Sequence, residues 1–156
     1  MPIRALWNRL ANDSRGVAAL EFAFFLPILL VLAGGIFDVG RALYQAETVD
    51  KALRDGAMYA AHLADPFSAT AETAVENLVK TGNPDGTGDY LVSGFADASA
   101  SVEVTSLSYD LDGTSLPVIK VSAQVPFDPL FPVLFSLFDP SLFTIRLSHE
   151  QAYIGP

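Results

Sequence analysis

The chain has no cysteine, only two histidines and one tryptophan, and just 9 lysines and arginines in 156 residues. Each scarcity closes a route. Without cysteine there is no disulfide, no thiolate metal site and no thiol nucleophile. His62 and His149 leave little material for acid–base or zinc chemistry. With 9 basic against 18 acidic residues and a net charge of −9, nothing could neutralise a run of phosphates, which argues against nucleic acid as a partner. Charged residues make up 17%, below the roughly one quarter of an average soluble protein, while 51% are apolar, so disorder is not the expected state. The length suits one compact domain with an appendage. The composition leans away from an enzyme.

What is present is unevenly placed. Residues 1–16 carry Arg4, Arg9 and Arg15 against Asp13, a net of +2, so the remainder holds −11. Between the two lies an apolar run, residues 17–37, reading VAALEFAFFLPILLVLAGGIF. A helix needs about 20 apolar residues to cross a bilayer, so this run can span one, and its basic flank favours a cytoplasmic N-terminus. Glu21 is the anomaly, because a carboxylate deep in a bilayer costs on the order of 3 kcal/mol. Gly16 stands just before the run. If a peptidase cuts after it, Val17 becomes a free ammonium with Glu21 one helical turn further on.

The string RG–VAALEF resembles the processing site of type IV prepilins, in which cleavage follows a glycine and the fifth mature residue is glutamate. The longer stretch over residues 15–64 resembles the TadE-like pseudopilins (minor pilins) of the tight-adherence, or Flp, pili. Gly16, Glu21, Phe22, Pro27, Gly35, the Asp38–Arg41 neighbourhood and the Ala-rich helix tail carry that likeness. They fit TadE, TadF and short TadG types alike. The resemblance implies trimming by a prepilin peptidase after Gly16, at the Gly16–Val17 bond. It also implies pairing of Glu21 with the Val17 amine of a neighbour, which makes two costly charges tolerable in a dry bundle. Other pilins or pseudopilins, pilus assembly platform proteins and the lipid bilayer are the implied partners. The bacterial inner membrane is the implied location, with incorporation in the pilus left open. Phe22, Pro27, Gly34 and Gly35 are the candidate helix-packing residues, the glycines because they permit close backbone approach. Two other readings stand beside this one. One is an uncleaved signal anchor holding an extracytoplasmic binding module. The other is a signal peptide cut near Val31–Leu–Ala33, against which the 21-residue run exceeds the usual 7–15 of a signal core.

Beyond Phe37 the apolar residues keep a helical period: Ile36, Val39, Leu43, Ala46, Val49, Leu53, Ala57, Ala60 and Ala64 form one stripe. Glu47 with Lys51 and Asp50 with Arg54 offer acid-first i,i+4 pairs on the opposite face. The expected division is a basic leader over 1–16, a membrane helix over 17–37, its continuation over 38–64 and a small extracytoplasmic body over 65–156. Asp65 is read as a helix cap with Pro66 in the first turn, opening a second helix closed by Gly82. Residues 98–109, with Val102, Val104 and Leu107 on one face, and residues 118–125 read as strands around a DLDGT turn. A third strand follows at 143–153. The fold class is therefore α+β: a long N-terminal helix, a short second helix and a small antiparallel sheet.

Residues 127–143 hold a cluster of phenylalanines broken by Pro129, Pro132 and Pro140, too short to span a membrane. They read either as a core-covering loop or as a docking surface built on Phe131, Leu134, Phe135 and Phe138. Asn83, Asp85, Thr87 and Asp89 alternate like half a calcium loop, but the twelfth position is Gly94 in place of a bidentate glutamate, so a polar turn is the plainer reading. No catalytic constellation, phosphate-cradling loop or cofactor motif is found.

Overall fold

A computed structural model describes residues 14–132 and 143–155 of the chain. Most of the leader and three of the candidate docking residues, Leu134, Phe135 and Phe138, lie outside the described residues. The chain divides into two compact units at Phe37 and Asp38.

The first unit holds the N-terminal part of α1 (Ser14–Ala61). Its large apolar side chains are exposed almost without exception, Phe24 at 74% and Leu30 at 63% among them. A helix whose large apolar side chains are exposed on every side suits lipid or neighbouring helices rather than water. Among the described residues, one helix, this one, is long and apolar enough to cross a membrane. Pro27 sits inside it with helix on both sides, leaving the Ala23 carbonyl without its usual N–H.

The second unit is α+β. It contains the rest of α1, α2 (Ala69–Thr81), a 3-10 turn at Ser93–Ala96 and a sheet of β1 (Ser101–Leu111), β2 (Thr114–Pro126) and β3 (Thr144–Ala152). The sheet is an antiparallel meander with β2 in the middle. Leu111 faces Thr114 across a two-residue turn in which Asp112 and Gly113 both have positive φ, 51° and 81°. That is the geometry whose twist matches a hairpin, and Asp-Gly is a preferred pair for it.

Alternation along β2 sends Ile119, Val121, Ala123 and Val125 into the core, against Val49, Leu53, Ala57 and Ala60 of α1 and Val75 and Val79 of α2. Val102 and Val104 face Ala123 and Val121, on that inner side. Leu107 does not join them, because its odd position puts it with Glu103 and Thr105 on the other face; Ser106 takes the inward place opposite Ile119.

Three further expectations need correcting. The long helix ends at Ala61, not Ala64. The Ala61 carbonyl accepts the Ile154 and Gly155 amides, at 3.3 and 3.2 Å, while Tyr153 Oη donates to the carbonyls of Leu63 and Ala64. The C-terminal tail thus supplies partners that a further helical turn would have used. The cap of α2 is Ser68, whose hydroxyl accepts the Ala71 amide. Asp65 instead closes the preceding turn by accepting the Phe67 amide, and Pro66 lies before the helix. Gly82, in the left-handed region at φ 78°, does end α2.

The third correction concerns the stripe. Val49, Leu53, Ala57 and Ala60 are fully buried, but Ile36, Val39 and Leu43 are exposed. In that stretch the buried residues are polar: Asp38 and Gln45. Of the two surface pairs, Asp50 and Arg54 meet at 3.1 Å, whereas Glu47 and Lys51 form no ion pair; Glu76 and Lys80 on α2 do.

Candidate functional site

Among the described residues, two places on α1 set ionisable groups in unusual surroundings. The first is the start of the helix. Helix is already formed at Ser14, so Gly16, Val17 and Glu21 lie on one continuous helical segment and Glu21 is one turn beyond Val17. Gly16 is in open space: a Cβ built there would meet nothing within 4 Å. Glu21 is exposed and makes no hydrogen bond or ion pair with any described residue. The helix thus carries a carboxylate inside an apolar run, and no described residue partners it. Phe22 is exposed as well, and a Cβ added at Gly35 would also meet nothing within 4 Å, whereas Gly34 beside it is buried.

The second place is Asp38, the residue after the apolar run, whose side chain is fully buried. Its two carboxylate oxygens accept the backbone amides of Leu130 at 2.9 Å and Phe131 at 3.1 Å. The Arg41 guanidinium, one turn on, approaches to 3.7 Å. Pro129 and Pro132 flank this pair and have no N–H. The two amides available in the PLFP stretch are thus both committed to one carboxylate. A buried charge is tolerable when it is hydrogen-bonded in this way.

Asp38→Ala is expected to lower the stability of the body by about 2 kcal/mol, two charge-assisted bonds discounted because the freed amides can reach water. Urea unfolding of the detergent-solubilised chain measures it. A midpoint equal to wild type would show that the clamp contributes nothing. Two helical turns beyond Asp38, Gln45 Oε1 is buried and, among the described residues, without a hydrogen-bond partner. A shallow apolar groove of about 400 Å³ runs between α1 and β3, with Val39, Leu43 and Ala46 on one side and Phe143, Ile145 and Leu147 on the other.

Elsewhere the candidate residues act structurally. Asn83 accepts the Asp85 amide with its side-chain oxygen and donates to Thr87 Oγ1 at 2.6 Å, so its polar atoms hold the turn together. Among the described residues no three histidines, aspartates or glutamates gather closely enough to hold a metal ion. His62 Nδ1 lies 2.8 Å from the Met58 carbonyl, and His149 sits opposite Val121 on β3. On the outer face of the sheet Tyr109 Oη donates to Glu150, and the carboxylate's hydrogen bond and charge raise the phenol's pKa above its ordinary value. The hydroxyl and amide of Ser99 lower that of Asp97.

Sequence reasoning missed two of these positions. Asp38 was visible only as part of a neighbourhood, because its partners lie more than 90 positions away. Gly94, weighed as a calcium-loop position, proves to be a contact point: a Cβ there would collide with the Pro126 carbonyl oxygen.

No curated protein and no solved structure matches the chain. Residues 16–58, from the glycine before the apolar run to the helix turn packed on the sheet, match the model of one family, described as TadE-like protein. That family is associated with Tad pilus assembly and consists of structural proteins not known as enzymes; over residues 16–58, within its long helix, this chain is similar to the TadE-like family.

Proposed function

We propose that this chain is a pseudopilin that enters the bacterial inner membrane with its N-terminus in the cytoplasm and its body outside. A prepilin peptidase trims it after Gly16, and it then takes part in assembling a Tad/Flp-type pilus for surface adhesion. The chemistry belongs to the peptidase, and the chain is its substrate. The chain's own work is packing: α1 joins a helix bundle with other pilins or pseudopilins, and the body selects neighbours and meets the assembly platform.

One observation carries this reading. Glu21 stands one turn from the amine that cleavage would create, and among the described residues it has no partner. An unpaired carboxylate in an apolar run is a standing cost, offset when a neighbour supplies an ammonium. A cut after Gly16 supplies that ammonium.

Co-expression with a prepilin peptidase tests the processing step. The wild-type chain should shift to a form shorter by the 16-residue leader, and Gly16→Asp should stay at full length. Gly16 has open space around it, so a failure of the variant to be cut reports on the peptidase's recognition and not on misfolding. Normal trimming of Gly16→Asp would contradict the assigned site.

A further inference from the structure

Leu130 and Phe131 are large apolar side chains, 55% and 47% exposed, in a loop held by a fully buried carboxylate. Loops normally place small or polar residues in water, so a stiff loop that displays two large apolar ones calls for a covering surface. Where the loop is held matters most. Its amides lie 2.9 and 3.1 Å from Asp38, and Asp38 is the covalent neighbour of Phe37, the last residue of the apolar run. All three clamp residues belong to the unit that begins at Asp38.

We propose that this loop is a membrane-seated foot, in which Asp38 holds Leu130 and Phe131 at the level where α1 leaves the bilayer, so that both side chains rest in the interfacial layer of that bilayer. The inference rests on the reading of residues 17–37 as a membrane span. It does not depend on processing or on pilus assembly. Pro129 and Pro132 stiffen the loop, and the single carboxylate fixes both intervening amides, so the display is preorganised. Aromatic and aliphatic side chains beside a headgroup layer gain from partial insertion. Arg41, against the same carboxylate and partly exposed at 29%, offers a cation to anionic headgroups at that level. The surface is thereby matched to a phospholipid bilayer, and the foot would fix the tilt of the body on the membrane.

The absence of native cysteine makes a direct test simple. Single variants Leu130→Cys, Phe131→Cys, Val31→Cys and Ser115→Cys of the full chain carry an environment-sensitive fluorophore. They are reconstituted in phosphatidylethanolamine–phosphatidylglycerol vesicles and quenched by lipids bearing a nitroxide at headgroup or mid-chain depth. Ser115 lies at the hairpin end of β2, roughly 35 Å along the strand from Pro126. Labels at 130 and 131 should be quenched by the headgroup-level nitroxide several-fold more than the label at 115. The label at 31 should respond to the mid-chain nitroxide. If 31 is quenched but 130 and 131 behave like 115, the foot is wrong and the membrane span stands. If 31 is not quenched either, both fall. Protection of 130 and 131 from aqueous iodide without quenching by lipid would mean that a protein partner covers the loop, which also overturns the proposal.

Discussion

Glu21→Ala is expected to leave membrane insertion and trimming intact while removing the chain from pilus assembly. Insertion should not suffer, because deleting a carboxylate from an apolar run makes the run more favourable in lipid. Trimming should not suffer, because Gly16 and Val17 are unchanged. Assembly should suffer because the Val17 ammonium would then enter a bundle with no counter-charge. Breaking one side of a buried pair costs about 3 kcal/mol or more, a factor above 100 in the association equilibrium. Glu21→Gln keeps the size and removes the charge, so it should resemble the alanine variant. Glu21→Asp keeps the charge on a shorter arm and should recover part of the function. Pilus yield in sheared fractions and co-isolation with partner pilins measure the effect. Wild-type yield from both neutral variants would show that charge pairing has no role.

Gly94→Ala is the most disruptive single change expected in the body. The added methyl would collide with the Pro126 carbonyl oxygen and sit 2.7 Å from a Val125 methyl. The valine can turn, but a strand backbone cannot yield by more than an ångström without breaking its pairing with β3, where Pro126 faces Thr144. Overpacking of this kind costs 1–3 kcal/mol when side chains can adjust, and a backbone collision belongs at or above the top of that range, at about 3 kcal/mol. For a unit this small that is a large share of its stability. Gly113→Ala is an informative comparison, since its Cβ would meet nothing and its only penalty is the positive φ. Equilibrium unfolding should rank Gly94→Ala well below Gly113→Ala. Equal midpoints would mean that the 3-10 turn is free to move off the strand.

Much of the architecture was legible because it rests on local rules. The DG pair forced a hairpin turn, Gly82 ended α2 in the left-handed region, and strict alternation marked β2 and β3. What escaped depended on distant partners. Hydropathy assigned Ile36, Val39 and Leu43 to the side that packs on the body, because apolar residues ordinarily turn inward. The side of α1 that turns inward there is the row Asp38, Ala42, Gln45 and Val49, also spaced by three and four. The Leu130 and Phe131 amides, together with Arg41, make Asp38 acceptable in that row, and no pattern near residue 38 announces those amides. The end of α1 was misplaced for a similar reason, since the amides that satisfy Ala61 come from the last residues of the chain. At the N-terminal site the position was the reverse. Gly16, Val17 and Glu21 could be singled out from spacing and charge alone, because a carboxylate among hydrocarbon side chains is conspicuous without any fold.

The most direct measurement is the N-terminal residue of the mature protein, read by Edman degradation or intact mass on chain purified from membranes of cells that make the pilus. A polypeptide beginning at Val17 would place a free amine one helical turn from Glu21, as the account requires. A polypeptide that still begins at Met1, or one that begins at Gly34, would leave Glu21 with no amine to meet and would contradict it.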